Sequence, residues 1–434
     1  MGYLSYLIFG LMLVMASVSA PWAFVLALMQ FVIEVALQGS GGMFLATPSL
    51  ANMLIAGVVA CGFCMDTLRK PQPFYGYFSP VFWMSVTIYG WSILSLIWTP
   101  ARSVGLNEGV NIITDGFPYF VVYILIVPLL VSSMSDWRKI CQVMMFMGML
   151  TGLSIVAHPD FSLKGGRGGF QMDAKYQTSP LALSQAGGMI AIFGALFYSG
   201  KGNRLAVFLR AGAFFLGAMV TLLSGTRGQA LFAAITIIVG IPISRRLRDF
   251  RSYIALVVGI GVMAIALLFA IDYAAGQSNV NRWSANAVAD ATEVRFANIL
   301  DLIVAFIGNP LAWVIGLGHN AFSAVTTTEQ GYSHNVFVDV LCELGVPMFV
   351  LLLVSMWKSV TASRALFLRF QESPSDRAAL TILFMMLPYL LMIAAKEGNL
   401  WSSWMIFTFM IITTRLEMRT RPDTAAQYCN LDGE

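Results

Sequence analysis

The chain has 434 residues, of which 58% are hydrophobic and 11% are charged, and its mean hydropathy is +0.75. Soluble globular proteins carry about a quarter of their residues as charges, so this composition excludes an ordinary soluble enzyme. A membrane-spanning helix needs about 20 mostly apolar residues, and the apolar share of the chain suffices for about 12 of them. We therefore predict an all-α, polytopic integral membrane protein.

Apolar runs follow one another along the chain and are the candidate spans: 3–19, 22–38, 46–65, 81–99, 117–134, 140–157, 180–199, 205–223, 228–244, 252–272, 336–357, 378–395 and 399–414. Only Ala20 and Pro21 separate the first two runs, which are therefore a candidate broken pair. We expect about 12 transmembrane helices. Residues 1–421 are predicted to form one membrane domain, and 422–434 a short disordered tail in the cytoplasm.

The net charge of +4 comes from Lys and Arg in short clusters between apolar runs. Such clusters set membrane topology, and basic loops face the cytoplasm, so we expect no nucleic-acid partner. Most of the clusters alternate from loop to loop, which places the C-terminus in the cytoplasm. The five cysteines lie mostly in apolar runs, which predicts neither a disulfide framework nor a metal site.

One loop on the opposite side, 273–335, is far longer than the others, and long loops usually carry function. Within it Thr292 is a predicted helix cap, and the helix is expected to end before Pro310. Its length of about 22 Å is too short for a span, so we expect it to lie in the membrane interface. Three residues form a predicted polar stripe on this helix: Arg295, Asn298 and Asp301.

The sequence predicts a tight turn between two spans at Ser224-Gly225-Thr226-Arg227-Gly228. The guanidinium of Arg227 suits a phosphate or diphosphate because its planar N–H groups match phosphate oxygens. The alternative is an interfacial arginine that reaches lipid headgroups. Because the turn lies on the side with fewer basic residues, we favour a binding role for Arg227, with Ser224 beside it.

Arg295 is the second candidate, and Arg282 upstream is a weaker one. An arginine on a helix surface also pairs with acidic neighbours three or four residues away. Asp301 and Glu293 are therefore the alternative partners of Arg295, and the spacing alone does not decide between the two interpretations.

Tyr332-Ser333-His334-Asn335 precedes the apolar run at 336–357. On a helix Asn335, Asp339 and Glu343 share one face, which carries carboxylates about 12 Å from its top. Carboxylates inside a membrane normally face a polar cavity or partner. His334 would lie at the mouth of that cavity, where an imidazole can remove a proton near neutral pH. The alternative is an incidental interfacial histidine. His319 and His158 are interpreted in that way, because in the sequence they lack the carboxylate face and the arginines that accompany His334.

The chain shows no esterase elbow, phosphate-binding loop, zinc-ligand spacing or dinucleotide fingerprint. Cytoplasmic nucleotide chemistry is therefore not expected, and neither is a metal or cofactor. The polar candidates gather instead on one side of the predicted membrane domain.

Together these segments resemble the O-antigen ligase and polymerase superfamily, integral-membrane glycosyltransferases of the Wzy and WaaL type. The resemblance rests on LLSGTRGQAL around Arg227, on Arg295 followed by Asn309-Pro310 and IGLG, and on His334-Asn335 followed by ELG. A weaker similarity is IWTP at 97–100 with Ser103. The resemblance covers about residues 80–400, and we interpret the chain as a polymerase-like member.

The resemblance implies a GT-C-like fold that uses polyprenyl-pyrophosphate-linked oligosaccharides, without a metal, on the periplasmic side of the bacterial inner membrane. In the family the two arginines contact the diphosphate, and the histidine deprotonates or positions the acceptor hydroxyl. These residues are Arg227, Arg295 and His334 here. The chemistry is reasonable because fixed guanidinium groups stabilise the charge that grows on a diphosphate leaving group.

The predicted substrate-binding residues are Arg167, Asn335, Asp339, Glu343, Ser224, Arg282 and Tyr332. Arg167 is included because it resembles a basic segment that many family members carry before a span. Met348 stands where the family often has a small residue, which weakens the assignment to a subfamily. Lys396 and Glu397, between the last two apolar runs, either neutralise each other or close the site.

Three functions are consistent with these features. A polymerase would join lipid-linked repeat units into O-antigen or exopolysaccharide, whereas a ligase would transfer the finished glycan to lipid A-core. We favour the polymerase because the long loop offers little surface for lipid A-core. A flippase or transporter is less favoured, since the chain lacks the repeated halves and midplane charges of that class. The expected partners are the lipid-linked oligosaccharide, membrane lipids and a chain-length regulator protein.

Overall fold

The computed structural model describes residues 2–38, 48–70, 74–101, 117–157, 161–164, 167–170, 180–198, 204–245, 285–325, 333–370 and 372–421, with a few positions between 251 and 261. Arg282, Tyr332, the tail at 422–434 and most of the apolar run at 252–272 lie outside these residues. The predictions made for them are therefore untested.

The described residues are mostly helical, which confirms the predicted fold class. The helices are α1 Gly2–Val18, α2 Ala20–Gln38, α3 Pro48–Arg69, α4 Pro80–Leu94, α5 Phe117–Phe120, α6 Met134–Val156, α7 Pro180–Leu196, α8 Arg204–Leu223, α9 Arg227–Arg245, α10 Ala285–Ile307, α11 Ala312–Ile315, α12 Phe322–Val325, α13 Val336–Leu344, α14 Val346–Phe370, α15 Pro374–Glu397 and α16 Trp404–Arg419. Helix α5 continues as a π-helix, Val121–Ile126, and a 3₁₀ turn, Val127–Leu130. Further 3₁₀ turns are Ser95–Ile97 and Trp401–Ser403.

Seven of the described helices are long and apolar enough to cross a membrane, and four shorter apolar helices accompany them. A polytopic membrane protein is therefore confirmed. The total of about 12 spans stays a prediction.

A short hairpin interrupts the helical pattern after α6. Strand β1, Phe161–Lys164, pairs antiparallel with β2, Arg167–Phe170, and Lys164 lies opposite Arg167. The sequence between the strands is Gly-Gly, a pair that two-residue hairpin turns favour. The all-helical prediction missed this element because four-residue strands carry little hydropathy signal.

Contacts between Cα atoms divide the chain into two compact units. Unit 1 comprises Met1–Pro71, Leu130–Ser284 and Phe367–Tyr389, and unit 2 comprises Gln72–Leu129, Ala285–Leu366 and Leu390–Glu434. Arg227 therefore belongs to unit 1, whereas Arg295 and His334 belong to unit 2.

In unit 1 helices α7 and α8 approach each other closely through small residues. A Cβ atom on Gly217 would lie 2.5 Å from the backbone nitrogen of Ala191 and 2.7 Å from the carbonyl oxygen of Gly187. Small residues allow such backbone approach in membrane helices, where van der Waals packing drives association. The α7–α8 pair therefore depends on having no side chain at Gly217.

In unit 2 a buried arginine stabilises the irregular segment that follows α5. The Arg415 side chain is fully buried and its Nη1 donates to the Pro128 carbonyl oxygen at 2.7 Å. The Tyr77 hydroxyl donates to the Leu125 carbonyl oxygen at 3.0 Å. Helix ends and π-helical turns leave carbonyl groups without regular partners, and these two side chains satisfy them.

The apolar run at 336–357 is not one helix, contrary to the prediction. It divides into α13 and α14 at Gly345, whose φ is +89°. A Cβ atom there would lie 2.7 Å from the Val314 carbonyl oxygen. The close approach and the left-handed backbone both require glycine, so Asp339 and Glu343 lie on a separate nine-residue helix and not within a long span.

Helix α10 begins at Ala285, earlier than the predicted start at Thr292. The upstream residues ANAVADA are rich in alanine, the strongest helix former, and they extend the helix to about 34 Å. The predicted polar stripe is divided, because Asn298 is buried and Asp301 is exposed. Leu302 and Phe306 pack into a small core with residues of α11–α13.

We expect Gly217→Ala to lower the stability of the protein by about 1–3 kcal/mol, because the new methyl group meets backbone atoms that cannot move aside. The measurement is thermal unfolding of the purified protein in detergent. Gly57→Ala is the matched control, since no atom lies within 4 Å of a Cβ at Gly57 in α3 of the same unit. Equal midpoints for the two variants would contradict the close approach of α7 and α8.

Candidate functional site

His334 immediately precedes α13 and has a left-handed backbone, with φ +63°. Among the described residues other than glycine, Asn320 alone shares this feature, with φ +59°. A residue with a Cβ atom in this region costs about 1–3 kcal/mol, and such strain clusters at functional sites. The backbone conformation of His334 is therefore a second indication of a functional site, independent of the chemistry of its imidazole.

The residues on both sides of His334 are firmly held. The Ser333 hydroxyl donates to the Asp339 carboxylate and accepts the Asn335 N–H at 3.1 Å. The Asn335 side chain caps α13, accepting the N–H groups of Phe337 at 3.0 Å and Val338 at 3.2 Å. These bonds maintain the strained conformation of His334.

Glu343, at the other end of α13, holds a neighbouring loop. Its buried carboxylate accepts the N–H of Asn320 at 3.0 Å and the N–H of Phe322 at 3.2 Å. The Nδ1 atom of His319 lies 3.6 Å from Glu343 Oε2. The prediction that His319 lacks polar company was therefore wrong.

The His319 loop is shaped by two glycines. Gly316 and Gly318 have φ of +82° and +101°, and a Cβ at Gly316 would clash with the carbonyl oxygen of Glu343. The N–H groups of Leu317 and Gly318 donate at 2.9 Å to the carbonyl oxygens of Cys342 and Glu343. The IGLGHN sequence carries the signal for this close approach, because only glycine adopts these conformations without strain.

Two tryptophans connect the surroundings of this loop to α4 and the segment after it. Trp98 Nε1 donates to the Gly316 carbonyl oxygen at 3.2 Å. Trp91 Nε1, in α4, donates to the carbonyl oxygens of Ile315 at 3.2 Å and Leu344 at 3.1 Å. The His319 N–H donates to Ser95 Oγ at 2.9 Å. The weak sequence similarity at 97–100 therefore corresponds to a structural contact of the site.

Three effects act on the His334 imidazole. Burial lowers its pKa, the positive charge of Arg295 lowers it further, and the negative charge of Glu397 raises it; the pKa remains below its usual value. The neutral form of His334, which is the form that accepts a proton, is therefore favoured. The charge of Arg295 therefore acts on His334, while the catalytic roles predicted for both residues stay predictions.

Glu397 was considered in the sequence only as a partner of Lys396 or a closing residue. The two are adjacent at the end of α15, with Lys396 Nζ 2.9 Å from Glu397 Oε1. Because the charge of Glu397 acts on His334, we include Glu397 in the candidate site. No local sequence pattern indicates this, since the two residues are far apart along the chain.

Arg227 begins α9 in unit 1, so the turn predicted at 224–228 is shorter than expected and ends before Arg227. Gly225 has φ +73° there, and the Ser224 hydroxyl donates to the Thr221 carbonyl oxygen at 2.6 Å and accepts the Thr226 N–H at 3.4 Å. The Ser224 hydroxyl is thus used within the turn, while the Arg227 side chain is half-buried. The substrate roles of both residues stay predictions.

Asn335, Asp339 and Glu343 likewise have structural bonds in this site, and their roles in substrate binding are untested. Arg167 begins β2, and the position of its side chain lies outside the described structure. Among the described residues, no group of three or more His, Cys, Asp or Glu side chains is arranged to hold a metal ion.

Residues 212–353 match the family model Wzy_C, described as O-antigen ligase. The match covers about a third of the chain and supports the predicted superfamily. The matched segment contains every predicted site residue except Arg167, and it ends before Glu397. No curated protein matches the chain.

We expect Glu343→Ala to destabilise the protein by about 3 kcal/mol, because the backbone N–H groups of Asn320 and Phe322 lose a charged acceptor. Glu343→Gln retains one acceptor oxygen and should lose about half as much. Thermal unfolding in detergent measures both variants. Asp301→Ala, at an exposed position of α10, is the control, and a Glu343→Ala variant as stable as this control would refute the role of the carboxylate.

Proposed function

We propose that this protein polymerises lipid-linked oligosaccharide repeat units into O-antigen or exopolysaccharide. The Wzy_C match indicates an O-antigen ligase or polymerase type of function. The observation that supports the proposal is the His334 turn, in which a histidine with a strained backbone carries an imidazole whose neutral form is favoured by burial and by Arg295. A base beside a fixed cation is what glycosyl transfer from a diphosphate requires.

In the proposed reaction His334 takes the proton of the acceptor hydroxyl. The acceptor oxygen then attacks the anomeric carbon of the donor, and the bond from that carbon to the diphosphate oxygen breaks. The leaving diphosphate carries the electron pair, and its growing charge is stabilised by Arg295. The resemblance assigns Arg227 to the same diphosphate.

The proposed donor is a polyprenyl-pyrophosphate-linked oligosaccharide, which suits a protein with several membrane helices because its lipid remains in the bilayer. The distribution of Lys and Arg supports a site on the periplasmic side of the bacterial inner membrane and a cytoplasmic C-terminus. Membrane lipids and a chain-length regulator protein are the proposed partners.

An O-antigen ligase is the second candidate, and the description of the Wzy_C family favours it. A ligase would use the same residues on the same donor but would transfer the finished glycan to lipid A-core. We prefer the polymerase because the loop at 273–335 is short for recognition of so large an acceptor. A flippase is a third, less favoured function.

We expect the purified protein in lipid to convert polyprenyl-pyrophosphate-linked repeat units into a ladder of oligomers, measured by sizing the products. His334→Asn should reduce the rate by about 10²–10⁴-fold, because the amide cannot act as a general base. Asparagine tolerates a left-handed backbone, so this variant should unfold at the same temperature as the wild type. Arg295→Gln should also reduce the rate.

Three results would contradict the polymerase. Transfer that occurs only after lipid A-core is added would identify a ligase. An oligomer ladder that is unaffected by His334→Asn would show that His334 is not the general base. In cells, lipid-linked units that accumulate on the cytoplasmic side in His334→Asn would indicate a transporter.

A further inference from the structure

The end of α15 packs against the start of α13. A Cβ atom on Gly398 would lie 3.2 Å from Val336 Cγ2, and Val336 follows His334 by two residues. The same Cβ would lie 2.9 Å from Ala394 Cα. There is no room for a side chain at Gly398, so the backbone after Glu397 is brought directly to the His334 turn.

Glu397 is placed where its charge has a large effect. Its side chain is 7% exposed, while that of its partner Lys396 is 35% exposed. Charges that are shielded from water interact more strongly than surface charges. The Glu397 carboxylate is buried at the end of a helix that touches the His334 turn. It therefore acts on neighbouring groups more strongly than a surface charge would.

Charged groups from two other elements have opposite electrostatic effects on the His334 imidazole. Arg295 on α10 disfavours the protonated form, and Glu397 on α15 favours it. Lys396 is paired with Glu397 and weakens its effect. Asp339 on α13 accepts a hydrogen bond from the Ser333 hydroxyl, and this bond stabilises the backbone of the turn.

We propose that Glu397 is a positioning residue for His334: its carboxylate orients the imidazole and stabilises the imidazolium that forms when His334 accepts a proton. Lys396 moderates this effect through its ion pair with Glu397. The catalytic part of this proposal rests on the proposed function, whereas the electrostatic part does not. Nothing in the Wzy_C match assigns a role to either residue, since both lie beyond its last residue.

The direct test is a titration of His334 by NMR in the full-length protein, with isotope-labelled histidine. The chain has three histidines, so His158→Gln and His319→Gln variants assign the signals. Glu397→Gln should lower the pKa of His334 by about one unit, and Lys396→Gln should raise it, because the first removes a negative and the second a positive charge. This measurement does not depend on enzymatic activity.

Glu417→Gln is the matched control. Glu417 is also a buried carboxylate in an ion pair, 2.9 Å from Arg421 Nη2. It lies at the far end of α16, about 20 Å along the helix from Trp404. The control should leave the pKa of His334 unchanged, whereas unaltered values in both Glu397→Gln and Lys396→Gln would overturn the proposal.

The second test is the pH dependence of glycan transfer. Glu397→Gln should shift the acidic limb of kcat/KM to lower pH by about one unit and reduce kcat about tenfold, because a less basic imidazole is a weaker general base. Glu397→Asp should restore part of kcat. An unchanged kcat with a raised KM would instead make Glu397 a substrate contact and refute its positioning role.

The two tests separate the possible failures. A wild-type protein that makes no glycan product, while its His334 titration responds to Glu397→Gln, would refute the proposed function and leave the electrostatic pairing intact. A protein that makes product but whose titration does not respond would refute the pairing alone.

Discussion

The buried Glu343 carboxylate joins α13 to the His319 loop, and the rest of the candidate site depends on this junction. A carboxylate shielded from water needs hydrogen-bond donors, and two backbone N–H groups of the loop supply them. In return, loop N–H groups bind the carbonyl oxygens of Cys342 and Glu343, which would otherwise lack partners at the helix end. Each segment therefore satisfies the polar groups of the other.

This junction also explains how a strained histidine is maintained. Helix α13 is only nine residues long, and such a helix is marginal on its own. Glu343 holds its C-terminal end, while Asn335 and the Ser333–Asp339 hydrogen bond hold its N-terminal end. With both ends fixed, the surrounding hydrogen bonds offset the cost of the left-handed backbone at His334.

The sequence predicted the apolar helices well where hydropathy alone defines them. The run at 205–223 corresponds to Arg204–Leu223, because about 20 apolar residues are a strong signal. The run at 336–357 was misread, since hydropathy contains no information on the backbone angle of Gly345. The start of α10 was misplaced because a capping residue, Thr292, was given more weight than the alanines before it.

The site was predictable only in part, for a similar reason. His334 and Arg295 were selected because their residue types suit the chemistry and lie in a recognisable order; their catalytic roles stay predictions. The contact of His319 with Glu343 was missed because it forms only in the folded loop. The effect of Glu397 on His334 was missed because the end of α15 meets α13 only in three dimensions. Local patterns report helices and turns, whereas these contacts depend on how separate elements pack.

The opposing charges around His334 suit a group that must change its protonation state during a reaction. A general base must be neutral before it accepts a proton, and Arg295 and burial favour that neutral form. The same arginine opposes the cation formed afterwards, and Glu397 offsets this opposition. If a diphosphate binds Arg295 as proposed, its negative charge offsets the guanidinium further, so the imidazole becomes a stronger base only when the donor is in place. This coupling through Arg295 gives one physical reason for a base and a diphosphate-binding arginine to share one site.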